Sequence, residues 1–198
     1  MKVNFTIGIP VWFDRICVWP VLTYRKHRYG FPFRKIPLGD SLFTIVDPDV
    51  FYCLNKFHWV GKQEHNLIYA IRFARKDSHG STVIRMHREI LNAPKGLLVD
   101  HRNNNSLDNR RANLRLANAF QNSCNKSKTR SQTSSKYIGV TFNKWHRKWE
   151  ARISFQNKII WLGYFDSEID AALAYDAAAK IYHGEFAHLN FPEVTTPS

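Results

Sequence analysis

A run of eleven residues without an aliphatic or aromatic side chain interrupts the sequence. It reads KSKTRSQTSSK and occupies residues 126–136. Because such a run buries no apolar surface, we expect a flexible basic linker there and a domain boundary. The 198 residues, 44% of them hydrophobic, suffice for one or two cores. We therefore expect two halves that fold independently and share no core.

Beyond the linker, apolar and polar residues alternate along three short segments. These read YIGVTFN, KWEARISF and KIIWLGYF, and a period of two predicts three antiparallel strands. The following segment, SEIDAALAYDAAAKIYHG, predicts a helix capped by Ser167 and ended by Gly184. The helix face expected to lie on the sheet consists of Ala171, Ala174, Tyr175, Ala178 and Ile181.

The half before the linker is predicted to be rich in short strands. The expected elements are a strand at Leu42–Val46, a turn at Asp47-Pro48, a short helix ending near Phe57, strands at 67–73 and 82–87, a turn at 92–96 and the short strand LLVDH. Residues 1–34 form an aromatic and basic lead-in. Two roles stay open for it, an arm on nucleic acid or a strap over the next domain.

The charge of the chain favours an anionic partner. The formal net charge is +13, and residues 101–136 carry eight Lys or Arg against one acid. Such a field is typical of proteins that bind nucleic acid or an anionic membrane surface. No apolar run approaches the ~20 residues needed to span a bilayer, and no signal peptide is expected.

The three cysteines, Cys17, Cys53 and Cys124, lie far apart in the sequence. No C-x-x-C pair exists, so we expect free thiols and no structural zinc.

The stretch VDHRNNNSLDNRRANLR, residues 99–115, contains an Asp-His pair followed by many asparagines. Asx turns alone explain an Asn-rich loop. The alternative is chemistry, because a carboxylate and an amide oxygen some twenty residues later suit Mg²⁺. A neutral imidazole beside them would accept a proton from water attacking a phosphodiester. Interleaved arginines would then bind the neighbouring phosphates.

The same region, roughly residues 36–126, resembles the HNH endonucleases, in the group that includes intron-encoded homing enzymes. The matching residues are Asp100-His101, Leu107-Asp108-Asn109-Arg110-Arg111, Asn113-Leu114-Arg115, Gln121-Asn122 and Asn125. The resemblance implies a ββα-metal motif in which His101 is the general base and Asn109 orients the loop and the base. It also implies that Asp100 and Asn122 bind Mg²⁺ or Mn²⁺. Asn118 stands where the family usually has Thr.

Four further residues in this half have expected roles. Arg110, Arg111 and Arg115 are expected to contact DNA phosphates. His87 either faces the active site or a phosphate, or is a strand histidine with a backbone partner.

Residues 137–192 resemble the plant ethylene-response-factor DNA-binding domain of APETALA2 type. The matching residues are Tyr137, Gly139-Val140, Lys148-Trp149, Trp161-Leu162-Gly163, Phe165, Ala171-Ala172, Ala174-Tyr175-Asp176, Ala178-Ala179, Gly184 and Asn190-Phe191-Pro192. The resemblance implies three antiparallel strands backed by one helix, with the outer sheet face in the major groove of DNA.

That face carries the residues expected to contact DNA in this half. They are Lys148, Arg152 and Trp161 on the strands, and Lys144, Trp145 and Arg147 on the hairpin. Trp161 has the alternative role of a partly exposed sheet residue. The linker residues Lys126, Lys128 and Arg130 are expected to contact phosphates. Thr141, Asn143, Ser154 and Ile159 stand where the plant domain has Arg, so the plant recognition sequence is not expected here.

Together these patterns predict an α+β protein. The expected domains are a basic aromatic extension (1–35), an HNH nuclease domain (36–125), the linker (126–136), an APETALA2-type domain (137–193) and a tail (194–198). The expected function is metal-dependent hydrolysis of double-stranded DNA inside a cell, in the cytoplasm or nucleoid of a prokaryotic or viral system or in a eukaryotic nucleus. No membrane and no obligatory protein partner are expected. The alternatives are a DNA-binding regulator with an inactive nuclease site, and a basic protein that binds RNA or DNA without sequence preference.

Overall fold

The computed structural model describes residues 11–39, 41–76, 80–125 and 134–192. They form two compact units. The first contains the chain up to Met86 together with the short segment Leu107–Arg111, and the second contains His87–Ser106 and the chain from Ala112 onward. In the part of the chain so described, no helix is both long and apolar enough to cross a membrane.

The first unit is built from two small antiparallel sheets. Its elements are α1 (Val11–Tyr29), β1 (Arg34–Pro37), β2 (Phe43–Val46), α2 (Phe51–Leu54), β3 (Val60–Glu64), β4 (Leu67–Lys76) and β5 (Gly80–Arg85). Strand β1 pairs with β2, and the other sheet has the order β3-β4-β5. The segment Leu107–Arg111 lies beside β2, where the Ile45 amide donates to the Leu107 carbonyl and the Asn109 amide donates to the Ile45 carbonyl.

The strands predicted at 42–46 and 67–73 are present as β2 and β4. The strand predicted at 82–87 ends at Arg85, and a helix begins at Met86. Residues 11–29 of the lead-in are the helix α1, whose Asp14 carboxylate accepts hydrogen bonds from Arg34 and Tyr52. These contacts hold α1 against its own unit, and both roles proposed for the lead-in stay predictions.

The second unit contains a two-stranded hairpin and a three-stranded sheet. Its elements are α3 (Met86–Ile90), β6 (Leu98–His101), a 3-10 turn (Arg111–Asn113), β7 (Leu114–Ala117), α4 (Ala119–Cys124), β8 (Val140–Asn143), β9 (Lys148–Phe155), β10 (Lys158–Phe165), α5 (Glu168–Tyr182) and a second 3-10 turn (Gly184–Phe186). Strand β6 pairs antiparallel with β7, and β9 lies between β8 and β10 with antiparallel pairing on both sides. The fold is therefore α+β, with the predicted three-stranded sheet backed by one helix.

The helix α5 covers one face of this sheet through small side chains. Ser167 caps its first turn by accepting from the amides of Ile169 and Asp170. Ala171, Tyr175 and Ala178 are buried as predicted, and Ala172 and Ala179 are buried with them. The prediction for Ile181 is wrong, since this residue is 78% exposed. At 3.6 residues per turn it lies about 80° away from Ala171, and this rotation takes its side chain off the buried stripe.

The two sequence halves on either side of the linker share a small core in the second unit. Phe186, in the 3-10 turn after α5, packs with Ala117 of β7 and Cys124 of α4, and Phe120 borders this cluster. The expectation that the halves share no core is therefore wrong. The composition of a linker shows that its own residues supply no apolar core, but it places no limit on packing between the surfaces at its two ends.

The linker also ends earlier than its composition indicates. The Ser134 hydroxyl accepts from the Phe142 amide at 2.8 Å, and the Ser135 hydroxyl accepts from the Tyr137 amide at 3.0 Å. Ser135 is buried. Serine is the residue type expected in a linker, yet here it satisfies backbone amides at the start of the sheet. Residues 126–133, with the predicted contacts Lys126, Lys128 and Arg130, lie outside the described residues.

Candidate functional site

Asp100 lies at the end of β6, directly opposite Arg115 of β7 in the antiparallel register. The Asp100 Oδ2 accepts from Arg115 Nε at 2.7 Å and lies 2.7 Å from Arg115 Nη2. Both side chains are 7% exposed. A buried charge requires a partner, and here a guanidinium supplies both the opposite charge and directed hydrogen bonds.

Asn125, which follows α4, is the second partner of Asp100. Its Nδ2 donates to Asp100 Oδ1 at 3.0 Å and to Asp100 Oδ2 at 3.1 Å, and the same group lies 2.9 Å from the His101 carbonyl oxygen. The last Asn of the motif thus holds both the carboxylate and the backbone of the adjacent histidine. This role was not predicted, although the spacing of Asn125 within the motif was the signal for it.

His101 is buried, and its ring meets the ring of His87 edge to face. The ring centroids are 5.3 Å apart and the planes are inclined by 82°. His87 lies in the first turn of α3 and is not a strand residue. His87 therefore lies beside the predicted general base, and its role there stays a prediction.

Asn122, the other predicted metal ligand, lies on the helix α4, which contacts β6 and β7. Asn118 caps this helix: its Oδ1 accepts from the Gln121 amide at 2.8 Å, and the Gln121 side chain accepts from the Asn118 amide at 2.9 Å. The Asn122 amide donates to the Asn118 carbonyl at 3.0 Å. Asn is as good an N-cap as the usual Thr, so this departure from the motif preserves the start of the helix.

Asn109 belongs to the segment of the first unit that lies beside β2. Its side chain is fully buried, and its Nδ2 donates to the Thr44 hydroxyl at 2.8 Å. Thr44 in turn donates to the Leu107 carbonyl at 2.7 Å. Asn109 thus fixes the conformation of the loop in which it lies. An orienting role toward the histidine stays a prediction.

The three arginines predicted to bind phosphate have intramolecular partners. Arg110 forms a two-pronged pair with Asp108, at 2.7 and 2.6 Å, and lies over the Phe31 ring. Arg111 pairs with Asp49 at 2.6 Å, and this hydrogen bond holds the pKa of Asp49 below its ordinary value. The burial of Arg110 and Arg115 beside carboxylates does not support phosphate contacts for them, whereas Arg111 is half exposed.

The donor atoms at Asp100 suit a hard cation. Among the described residues, Asp100 Oδ1 accepts from Asn125 alone, while Oδ2 accepts from Arg115 and Asn125. A carboxylate oxygen has two lone pairs, so Oδ1 keeps the capacity to bind a metal. No group of three or more His, Cys, Asp or Glu able to hold a metal occurs in the described ranges. A Mg²⁺ site formed by the Asp100 carboxylate and the Asn122 amide oxygen stays a prediction.

The outer face of the sheet β8–β10 carries exposed basic and aromatic side chains. Arg152 of β9 and Trp161 of β10 are direct cross-strand partners, and both are exposed. Trp161 is 56% exposed and Trp145 on the hairpin is 90% exposed. Lys144, Arg147 and Lys148 are exposed as well. The structure thus brings the six predicted residues of this half onto one sheet face and its hairpin.

Two acidic side chains form ion pairs with basic residues of this face. Glu150 lies 3.4 Å from Arg152 Nε, and Asp166 lies 3.2 Å from the Lys148 ammonium. The Lys148 pair is exposed and therefore weak, whereas Glu150 is only 15% exposed beside the half-exposed Arg152. Ile159 is also exposed beside them, and the alternation along its strand was the signal that could have identified it.

Two family models match segments of the chain. Residues 135–185 match the AP2 domain, and residues 92–124 match a model described as HNH endonuclease. The first segment covers the three-stranded sheet and α5, and the second covers β6, β7 and α4. Both resemblances inferred from the motifs are confirmed.

The curated relatives resemble the AP2 segment. Dehydration-responsive element-binding protein 2D of Arabidopsis thaliana is 48% identical over 62 residues, which are 30% of this chain and 30% of that protein. Protein 2C of the same name and organism is 47% identical over 64 residues, 31% of this chain and 18% of that protein. APETALA2-like protein 2 of Oryza sativa subsp. indica is 50% identical over 60 residues, 29% of this chain and 14% of that protein. The chain thus spans less than a third of the length of these relatives.

Proposed function

We propose that the protein is a metal-dependent DNA endonuclease of the HNH class, of homing type, that is held on duplex DNA by its AP2 segment. The observation that carries this proposal is the arrangement at the end of β6. There Asp100 is oriented by Arg115 and Asn125 while the adjacent His101 ring packs against His87. Catalytic groups require such fixed geometry, because small displacements of a reacting atom greatly slow the reaction.

In this proposal Asp100 and Asn122 hold Mg²⁺ or Mn²⁺ through oxygen atoms. When bound there, the metal would supply positive charge beside the scissile phosphate. His101 accepts the proton of the attacking water and must therefore be neutral when the reaction begins. Asn125 donates to both the Asp100 carboxylate and the His101 carbonyl, and it thereby fixes their positions relative to each other. Asn109 keeps the intervening loop in one conformation through Thr44.

The AP2 segment supplies the binding to duplex DNA. A flat sheet face with Arg152 and Trp161 side by side suits a groove, because Arg binds phosphate or a guanine edge and Trp packs on sugar and base edges. The net charge of +13 adds affinity that does not depend on sequence. The relatives named as element-binding proteins support a DNA-binding role for this segment.

A second candidate is a DNA-binding regulator whose nuclease site is inactive. One observation favours it: Arg115 already neutralises the Asp100 carboxylate in the described structure. A cation at Asp100 would then lie close to a fixed positive charge, and like charges repel.

Cleavage of supercoiled plasmid, with Mg²⁺ and with EDTA, distinguishes the two candidates. For the nuclease we expect nicked or linear product with Mg²⁺ only. His101→Ala should lower the rate by about 10²–10⁴-fold, the usual contribution of a general base, while binding to duplex DNA is retained. His58→Ala is the matched control, since His58 is exposed and lies outside both the Asp-His motif and the sheet face β8–β10.

Binding without cleavage in wild type and variants alike would favour the inactive regulator. Equal cleavage by wild type and His101→Ala, in preparations free of host nuclease, would contradict the role of His101. Stoichiometric zinc retained through dialysis would contradict the proposed metal.

A further inference from the structure

The turn that follows α5 reaches the partner of the predicted metal ligand. Arg115 binds the Asp100 carboxylate through Nε and Nη2, and its Nη1 donates to the backbone carbonyl of Glu185. Its guanidinium carbon lies 3.9 Å from the centroid of the Phe186 ring. Glu185 and Phe186 belong to the 3-10 turn Gly184–Phe186; Glu185 is the last residue of the AP2 segment and Phe186 directly follows it. One side chain thus connects the two family segments.

We propose that this turn is part of the nuclease site, and that Arg115 and Phe186 are positioning residues for Asp100. The proposal rests on the proposed function. In it, the Glu185 carbonyl and the Phe186 ring fix the guanidinium, and the guanidinium fixes Asp100 Oδ2, which leaves Oδ1 as the oxygen that would bind a metal.

Burial supports this role. Phe186, Arg115 and Asp100 are each buried, so water cannot replace any of these contacts. A guanidinium over an aromatic face gains most where it is desolvated. Partners of metal ligands of this kind orient the ligand, and their removal usually costs about 10–100-fold in metal affinity or activity.

The fixed arrangement also explains how Arg115 and a metal are compatible. Both hydrogen bonds from the Arg115 fork to Asp100 go to Oδ2, and the third guanidinium nitrogen is committed to the Glu185 carbonyl. A guanidinium held in this way cannot rotate to cover Oδ1. Without the turn, Arg115 would be free to form the two-pronged pair with both carboxylate oxygens, as Arg110 does with Asp108.

The same interface offers a matched control. Arg102 pairs with the Glu185 side chain at 3.3 Å, and both side chains are largely exposed. This pair joins the same two segments as the Arg115 contacts but does not involve Asp100. Arg102→Ala therefore tests for general weakening of the interface, while Phe186→Leu removes the ring and keeps an apolar side chain.

The full-length chain is tested in three ways: Mn²⁺ affinity by calorimetry, single-turnover cleavage, and duplex binding in EDTA. For Phe186→Leu we expect Mn²⁺ affinity and cleavage rate to fall about 10-fold to 30-fold, in line with removal of a desolvated cation–π interaction. Arg115→Lys keeps the charge but cannot serve Asp100 and the carbonyl together, so its effect should be a decrease of about 10–100-fold. Duplex binding in EDTA should match wild type for both variants, and Arg102→Ala should match wild type in all three measurements.

The outcomes separate this proposal from the proposed function. Wild-type Mn²⁺ affinity and cleavage in Phe186→Leu and in Arg115→Lys, within an active enzyme, would overturn the positioning role alone. Equal decreases in Arg102→Ala and Phe186→Leu would also overturn it, because the effect would then be a general one. A wild-type chain that neither binds Mn²⁺ nor cleaves DNA would overturn the nuclease, and the positioning role with it. If Phe186→Leu unfolds, the Mn²⁺ affinity and cleavage rate of Arg115→Lys alone test the positioning role.

Discussion

At the scale of single residues, the register of two strands decides what an arginine does. Arg115 belongs to a motif, and its charge predicted a phosphate contact. In the structure it lies opposite Asp100 and pairs with that carboxylate, a register that no spacing in the sequence specifies. Asp100 and His101 could be found from the motif because they are adjacent in the chain. Their partners Arg115, Asn125 and His87 could not be assigned, since each is brought to them by pairing or packing.

The half-buried His188 leads to a prediction about how the stability of the protein depends on pH. The ring is half buried, its Nδ1 lies 3.1 Å from the Asn104 side-chain nitrogen, and burial lowers its pKa despite the opposing effect of Asp176. The unfolded chain then binds a proton more readily than the folded chain, so stability falls as pH decreases below the ordinary value of about 6.5. Urea unfolding between about pH 5 and 7.5 should show a smaller pH dependence for His188→Gln than for wild type.

His146→Gln is the control for this measurement, and it should keep the pH dependence of wild type. A His188→Gln variant with the full pH dependence of wild type would contradict the prediction.

At the scale of elements, the sequence predicted what has a period and missed what depends on pairing. Three alternating segments and one helix after the linker were predicted, and all four are present. Strand β3 reads VGKQE and lacks alternation, so it forms because it pairs with β4. Strand β1 has four residues and ends in proline, and only its pairing with β2 makes it a strand.

Gly139 offers a test of how closely α5 approaches the sheet. It has φ +72°, and a methyl group added there would overlap the Tyr175 ring and lie 2.6 Å from the Arg152 carbonyl oxygen. Tyr175 is buried in the core, and burial raises its pKa to about 12. Gly139→Ala should therefore destabilise the protein by about 3 kcal/mol or more, measured by chemical unfolding.

Gly184→Ala is the matched control for overlap. Gly184 has φ +56° with open space around it, so only the backbone cost of about 1–2 kcal/mol applies. Similar destabilisation of the two variants would show that Gly139 is required for its conformation and not for close packing.

At the scale of the whole molecule, the linker was the strongest signal in the sequence and also the source of the largest wrong prediction. Its composition predicted a boundary, and the two family matches lie on either side of it. The shared cluster of Ala117, Cys124 and Phe186 was not foreseen, because those residues are small or isolated apolar positions in segments that lie far apart along the chain.

Two sets of substitutions test how the sheet face and the linker contribute separately to DNA binding. Replacing Arg152 and Trp161 together by Ala should weaken binding to duplex DNA, since both face outward from neighbouring strands. It should also reduce the differences in affinity among duplexes of different sequence. Replacing Lys126, Lys128 and Arg130 by Ala should weaken binding equally on all duplexes. It should also reduce the salt slope by about 0.9 for each phosphate that the protein no longer neutralises. Titrations on a panel of duplexes at several salt concentrations measure both effects.

Ile181→Ala serves as the control, because Ile181 is exposed on α5 and away from the sheet face. If the Arg152/Trp161 double variant kept the affinities of wild type for every duplex, the sheet face would not be the surface that reads sequence.

The turn Gly184–Phe186 has a consequence for anyone who would build chimeras from this chain. A cut within residues 126–133 looks natural, since it falls between the two family segments. Fusion of an unrelated DNA reader at that point would remove the carbonyl and the ring that hold Arg115. A graft that preserves the structure of the HNH segment would need to carry over the turn together with the helix that presents it, so the portable unit is discontinuous along the sequence.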